Sequence, residues 1–589
     1  VTAKLTEPAD APLALEWELR SPTGDELARG NKKIAAEQKT APLSVPLSQT
    51  GELSLLYRLR RAGAVTDYGA LPVRVSAPVT ISDLRVPEFN ASAEPVQVEW
   101  DLEGEVDRVA GLVLQVFDHR DRLVTWKRCG ADDRACRLDG WPAQGVWHRL
   151  RMLAMDDQGN TLAEKRTPLY VQADRSKDSN RFHVMVWATE RGEAQEQWRY
   201  QRLRQLGVTA FSSLGKDMMV PRMAAEAGLR LAPVNVCVPP GRFKKEFHPA
   251  EEREALAAYS KAIAPLSPLG YSLADEPASV DLAGFSQWAA SIIRQHDRGA
   301  RVGYCGTHMK VGMNVPNILS TCDFMIHYTP HYLYTADLWR GIERDLHRAF
   351  TAQDGLNTAY THYVPWDDHE PYNRTTPWLL LFEEAQGVSY FASAGGNFTI
   401  LQSDLRTTHE TRWWSEEIRE LQKGIATQLV TMRRDAGGVA LLFPTNLPGA
   451  LQGAASTATT LWAEAFRELN LTYSFVAPGE LANLDPADTP LLVCPPTPVL
   501  APEAVDALQR YVEAGGTVVA TAPFALVEPR QEAPAETPFW EKEPPKDKAP
   551  SAPAPGAGSP EPTGQAVQAL LEGDQPQAVT EPAPPPPAQ

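Results

Sequence analysis

Pro268-Leu269-Gly270-Tyr271-Ser272-Leu273-Ala274-Asp275-Glu276-Pro277 is the stretch from which the build of this chain is read. A short apolar run ends in two adjacent carboxylates and a proline. Proline lacks the N–H a ladder needs and pushes the residue before it into an extended conformation, so the strand stops at Glu276. Helical spacing comes next, with Leu282, Phe285, Ile292 and Ile293 on one face and Asp281 as the N-cap. In alternating β/α arrays that close into barrels, catalytic groups stand at the carboxyl ends of strands. The same two acids also suit the N-terminus of the next helix, so the pair needs its context to decide.

That context extends on both sides. Strand-like runs fall at 182–188, 208–214, 229–236, 270–274, 301–306, 323–328, 357–363 and 388–392. Helical patterns lie between them at 193–206, 218–227, 250–263, 282–295, 336–349 and 377–385. Eight β/α units are the number that closes a (β/α)8 TIM barrel, here assigned to residues 178–434.

Before the barrel the chain reads as short strands separated by turns such as Pro22-Thr23-Gly24 and Asp156-Asp157-Gln158-Gly159. Two β-sandwich, Ig-like modules at 1–77 and 78–177 account for them. After a long helix expected over 409–433, apolar strands without alternation, 438–443 and 491–494, predict a small flavodoxin-like α/β domain at 435–530. Gly515-Gly516 is its expected helix stop. Residues 531–589 hold 15 of the chain's 50 prolines, too many for helix or sheet, so this tail reads as disordered.

Composition narrows the partners. A net charge of −17 excludes the basic face that phosphate binding needs, so no nucleic acid is expected. No apolar run is long enough to span a membrane. Cys129 and Cys136 bracket a short polar loop and predict a local disulfide, which places the protein in a secreted, periplasmic or cell-surface setting. A chain opening at Val1 reads as a mature form or a fragment. Cys237, Cys305, Cys322 and Cys494 lack metal-ligand spacing and read as buried thiols; no metal and no cofactor is expected.

Two neighbouring acids suit the breaking of a glycosidic bond, where one protonated carboxyl feeds the leaving oxygen and a second carboxylate attacks or activates water. Glu276 is the candidate acid. Asp275 beside it raises the pKa of Glu276 by like-charge repulsion. Trp187, Tyr271, Tyr328, Tyr332, His362, Tyr363 and Trp366 are candidate contacts to an oligo- or polysaccharide. Aromatic faces pack on the apolar face of a pyranose while polar neighbours read its hydroxyls. Packing at the barrel mouth is the alternative for each.

The order of parts resembles the clan A glycoside hydrolases. Phe182-His183-Val184-Met185-Val186-Trp187 resembles their barrel start, and Glu383-Glu384-Ala385-Gln386-Gly387-Val388-Ser389-Tyr390-Phe391 the eighth-strand region of family 42 β-galactosidases. The passage from Trp413 to Arg433 into Val439-Ala440-Leu441-Leu442-Phe443 is similar to that family's entry into its trimerisation domain. Tyr511-Val512-Glu513-Ala514-Gly515-Gly516-Thr517-Val518-Val519 is similar to the glycine turn of that domain. The resemblance implies a β-glycosidase and a homo-oligomer through 435–530. Two departures stand out. The family's acid follows an asparagine that binds the sugar 2-hydroxyl, where this chain has Asp275, which accepts a hydrogen bond but cannot donate one. The family's nucleophilic glutamate ends the seventh strand, where this chain reads Thr361-His362-Tyr363-Val364-Pro365-Trp366; the nearest carboxylates are Asp367, Asp368 and Glu370. Glu370 and Asp367 are the candidates for the second catalytic group. The rival reading is a barrel that has lost hydrolysis and binds carbohydrate or scaffolds a surface assembly.

Overall fold

The computed structural model describes residues 2–21, 26–45, 51–75, 78–143, 145–187, 196–212, 219–239, 247–275, 277, 281–305, 315–329, 345–346, 349–350, 356–362, 370–382, 384–391, 400–402, 404–432, 437–445, 447, 449–527, 538 and 540–541.

The N-terminal region is antiparallel. Four strands lie in the order Glu26–Ile34, Leu13–Arg20, Gly51–Arg61, Ala64–Val75, beside a two-stranded sheet of Thr2–Lys4 and Thr40–Pro42. Leu13, Leu15, Trp17 and Leu19 are buried while the residues between them are only half-buried, the period-two pattern of a one-sided sheet. Glu26–Ile34 is a strand that its polar sequence conceals, since only Ile34 is buried; pairing along Leu13–Arg20 holds it. The short strand Thr40–Pro42 forms where Thr2–Lys4 supplies a partner.

The next region has two sheets, a five-stranded one with Gly111–Asp118 and Trp147–Met155 at its centre and a three-stranded one around Val96–Gly104. Trp100, Leu112, Leu114, Leu150 and Met152 fill the core between them, each at most 1% exposed. This region is tied to two helices further along the chain, Glu196–Gln205 and Met219–Glu226. Tyr170 OH donates to Glu226 Oε1 at 2.9 Å, and Arg204 Nη1 donates to the His119 carbonyl at 2.8 Å.

Eight parallel strands then form one curled sheet. In chain order they are His183–Trp187, Ala210–Ser212, Arg230–Leu231, Tyr271–Asp275, Val302–Cys305, Phe324–Thr329, Leu356–His362 and Gly387–Phe391, and the eighth pairs with the first. The edges of the ladder, the third and fourth strands, are joined by hydrogen bonds: Leu269 N–H to the Leu231 carbonyl at 2.6 Å, Ser272 N–H to Pro233 at 2.8 Å and Cys237 N–H to Leu273 at 3.1 Å. Alternation divides the side chains. Met185, Trp187, Ala210, Ala232, Val234, Cys305, Phe324 and Ile326 cluster inside the curl. Val184, Val186, Phe211, Leu231, Tyr271 and Leu273 join the layer of helices. Gly270 is required at the floor, because a Cβ there would stand 2.3 Å from the Phe324 ring.

Helix bounds differ from expectation in two places. The helix placed at 377–385 begins at Glu370 and runs to Phe382, with Pro377 inside it. The long helix expected over 409–433 is two, His409–Leu421 and Ile425–Thr431, broken at Gly424 with φ +147°.

The four-stranded sheet that follows is parallel, in the order Ser474–Val476, Val439–Leu442, Leu491–Cys494, Thr517–Ala520. The helix Pro502–Glu513 stops where expected: Gly515 has φ +99° and Gly516 N–H returns to the Tyr511 carbonyl at 3.0 Å. The tail assigned to disorder needs one correction. Trp540 is 6% exposed and packs into the core shared by the curled sheet and its helices, its indole against Phe285 and Gly284. Residues 542–589 lie outside the described residues.

Candidate active site

The fourth strand ends irregularly. Ser272 pairs with Gly303 and Asp275 with Cys305, so one more residue is taken up on the fourth strand than on the fifth. A bulge of this kind re-aims the residues just beyond it. Asp275 is then fixed from the side: its N–H donates to Asn235 Oδ1 at 2.8 Å. Asn235 lies just past the third strand with φ +54°, a left-handed conformation that asparagine tolerates better than most residues. Val236 N–H reaches the Ser272 carbonyl at 3.3 Å, so the asparagine is itself held against the fourth strand. Glu276, the residue presented next, lies outside the described residues, as do Tyr332, Tyr363, Trp366, Asp367 and Asp368.

Backbone register places several expected residues in one tier. Trp187 ends the first strand, paired with Ser212 on the second and with Phe391 on the eighth; His362 on the seventh pairs with Phe391 in turn. Tyr328 lies near the end of the sixth strand, paired with Tyr360. The Trp187 side chain is 4% exposed, at the top of the interior cluster. Sequence reasoning passed over two residues here. The Ser212 hydroxyl is buried and has no hydrogen-bond partner among the described residues. Its signal was a serine closing an apolar strand. Asn235 was equally visible as a lone amide between two valines.

Two assignments are corrected. Tyr271 opens the fourth strand rather than closing it and is fully buried at the opposite end of the curl, where its hydroxyl donates to Asp297 Oδ2 at 2.9 Å. Burial, and then the Asp297 carboxylate, push that hydroxyl above its ordinary pKa. It is not placed to touch a substrate held by Asp275. Glu370 opens a helix and is exposed. Arg374 Nε donates to its Oε1 at 2.7 Å, and the same guanidinium reaches Glu416 and Glu417 at 2.9 Å each. Its carboxylate is engaged in an ion-pair network on the helical layer, beside the helix His409–Leu421.

Among the described residues no group of three or more His, Cys, Asp or Glu side chains is placed to hold a metal ion. Cys129 and Cys136 carry free thiols close enough to hydrogen-bond; burial, then that partner, push Cys129 up to about 12.

No protein-family model matches this chain, and none of the curated proteins matches it. Among solved structures it is similar to the β-galactosidase of the psychrophilic Marinomonas ef1, with a TM-score of 0.43 and 14% identity over 58% of this chain and 75% of that one. It is also similar to the β-glucuronidase of Ruminococcus gnavus bound to D-glucaro 1,5-lactone, with a TM-score of 0.38 and 11% identity over 71% of this chain and 87% of that one. The apo form of that enzyme gives 0.37 and 11%, over 71% and 88%.

Proposed function

We propose that this chain is a glycoside hydrolase of clan A type acting on a β-linked sugar, with Glu276 as general acid/base. The observation that carries the reading is the bulged fourth strand, whose last residue, Asp275, is clasped by Asn235 at the carboxyl end of a curled parallel sheet. Glu276 follows Asp275 directly in the chain, and barrel enzymes keep their catalytic groups at the carboxyl ends of strands. Asp275 serves as the charged neighbour that keeps Glu276 protonated and as an acceptor for a sugar hydroxyl. Ser212 supplies a second polar group beside Trp187. Asp367 or Asp368, after the seventh strand, replaces Glu370 as the second carboxylate. A separation of ~5–5.5 Å from Glu276 gives retention and ~6.5–9.5 Å gives inversion.

In the same reading, 178–434 is the catalytic (β/α)8 barrel, 1–77 and 78–177 are sandwich modules, and 435–530 is an α/β domain through which copies associate. A Cys129–Cys136 disulfide would fit an extracytoplasmic setting; no helix among the described residues is long and apolar enough to cross a membrane. The rival reading, carbohydrate binding without turnover, gains from Glu370, whose carboxylate is engaged by Arg374. A panel of 4-nitrophenyl β-glycosides, run beside glycan-array binding, separates the two. Turnover of one or more members supports hydrolysis; glycan binding with no turnover supports the rival.

A further inference from the structure

The five-stranded sheet centred on Gly111–Asp118 and Trp147–Met155 has two unlike faces. Leu112, Leu114 and Val116 alternate into the core, so Val113, Gln115 and Phe117 stand on the other face. One end of that face is covered, where Trp147 and its register partner Tyr170 pack into the core of the curled sheet and its helices. Farther along, the face is open. One row runs Trp126, Gln115, Arg151, Arg166 across four strands, and a parallel row runs Arg128, Val113, Leu153, Glu164. Trp126 is 56% exposed and Leu123, on the same strand, 49%. The carboxylate of these rows is hidden: Glu164 is buried, its oxygens taken by Arg151 Nη2 and Arg166 Nε at 2.6 Å each. Arg149 donates to Asp121 at 2.7 Å, with its guanidinium 5.7 Å from the centre of the Phe117 ring. Arg128 is exposed and has no acidic partner among the described residues.

Charge alone on such a strand is ordinary. Leu123–Cys129 is an edge strand, and Lys127 and Arg128 keep other strands from adding to it. An exposed indole beside them works against that protection and calls for another use. We propose that this face binds an anionic polysaccharide, with Trp126 stacking on a pyranose and Arg128 and Arg151 meeting the carboxylates of neighbouring units. An indole presents a broad apolar face to the apolar side of a sugar ring. Arg128 lies ~7 Å from Trp126 along the strand, and Arg151 ~10 Å away across two strand spacings, within the reach of a short oligosaccharide. Charge complementarity selects the class. The chain as a whole carries −17, which repels polyanions, yet on this face solvent meets guanidinium groups, with Glu164 hidden beneath two of them. None of these residues belongs to the curled sheet, so the proposal stands whether or not the chain hydrolyses a glycoside.

Affinity electrophoresis of the full chain, in gels carrying carboxymethyl cellulose, polygalacturonate or the neutral hydroxyethyl cellulose, tests it. Both acidic polymers should retard the chain at concentrations where the neutral one does not. Retardation should weaken as salt rises from about 0.01 M to about 0.15 M, over which the Debye length falls from ~30 to ~8 Å. Trp126→Ala should lower affinity about tenfold, and Trp126→Phe, which keeps a ring, should recover most of it. Arg128→Gln should cost about two- to fivefold and flatten the salt dependence. Both side chains are exposed, so melting temperatures should stay at the wild-type value. Trp198→Ala removes an equally exposed indole from the helix Glu196–Gln205 and should leave retardation unchanged. The proposal is overturned if neither acidic polymer retards the chain, if Trp126→Ala is retarded like the wild type, or if Trp198→Ala loses as much. Equal retardation by hydroxyethyl cellulose would remove the role of charge, and equal retardation by duplex DNA would make the face a general anion binder; either result also overturns it. Turnover of the 4-nitrophenyl β-glycosides should be the same in Trp126→Ala as in the wild type, and a loss there would overturn a site separate from the barrel. A wild-type chain that hydrolyses none of them ends the glycosidase reading alone, and the gels still decide this one.

Discussion

The two mouths of the curled sheet are built on opposite terms. At the amino-terminal mouth, charges are buried and saturated. Asp178 accepts from Arg230 at 2.9 and 3.2 Å and from Arg301 at 3.1 Å, and its carbonyl contacts His183 Nε2 at 2.8 Å. Arg175 grips Asp297 through two bonds of 2.5 and 2.8 Å, and Tyr271 adds a third. Burial alone would raise the Asp178 carboxyl, yet Arg230, His183 and Arg301 outweigh it and hold it below the usual range. Among the described residues of the carboxyl-terminal mouth, Asp275 is only half-buried and the Ser212 hydroxyl lacks a partner. The polar groups described at the amino-terminal mouth are committed to holding the fold, and the proposed reading gives the chemistry to the other mouth. Barrel enzymes divide stability and chemistry in this way.

Crossed lesions put the largest strain on that division. Glu276→Gln keeps shape but removes the transferable proton, so hydrolysis should fall by about 10²–10⁴ while the melting temperature stays put. Asp178→Ala should do the reverse. It leaves Arg230 and Arg301 buried without their counter-charge, a loss of about 3–5 kcal/mol in stability, with kcat per folded molecule little changed. Thermal melts and active-fraction kinetics on the two variants read both effects. A Glu276→Gln enzyme at near wild-type rate would sink the acid assignment, and an Asp178→Ala chain that melts normally would sink the account of the lower mouth.

The second carboxylate sharpens the comparison. Of Asp367→Ala, Asp368→Ala and Glu370→Ala, the last should retain activity, since Arg374 holds Glu370 on the exposed helical layer. One of the two aspartate variants should lose turnover and recover it with azide, an external anion able to replace a missing nucleophile or base. Azide rescue of Glu370→Ala alone would return Glu370 to the site and require its helix to begin elsewhere.

Much of the fold was legible because it rests on local signals. The apolar strands, the Asp281 cap and the Gly515-Gly516 stop each depend on residues within a few positions of one another. Features set by distant partners could not be read. Glu26–Ile34 is a strand only because Leu13–Arg20 lies beside it, and Trp540 looked like part of a proline-rich tail until Gly284 and Phe285 gave it a seat. The site was legible in the same proportion. Asp275 was legible by its place at a strand end, whereas the engagement of Glu370 by Arg374, which two glutamates of another helix also hold, was not.

Acid should reveal which buried groups belong to the scaffold. Burial lowers His183, His119 and His148 from an ordinary 6.5 to about 4. Between those values the unfolded chain binds a proton at each position that the folded chain refuses, so stability falls as the pH drops from 6.5 towards 4. Below that window Asp178 adds to the loss, because its depressed pKa contributes stability only while it stays ionised. His119 lies against Gly228 of the barrel region, so the contact with the preceding module should weaken in the same range. Melting temperatures that stay level from pH 7 to pH 4.5 would mean these rings are already hydrated in the folded state.

The smallest effect concerns the residue whose position sequence got wrong. Tyr271 and Asp275 belong to one strand four residues apart, a separation of ~13 Å at about 3.3 Å per residue, enough to carry them to opposite mouths. Both are polar and both flank the same apolar run, so nothing in their composition tells the ends apart; only the direction of the chain does. Tyr271→Phe keeps the ring that packs among the helices and removes one hydrogen bond to Asp297. Arg175 still grips that carboxylate through two others, so the charge is not stranded, and the cost should be about 1 kcal/mol. Turnover and KM should match the wild type within error, since the hydroxyl faces away from the mouth that holds Asp275. A change in KM without a change in melting temperature would place Tyr271 against the substrate after all, and the separation of the two mouths would fail at this residue.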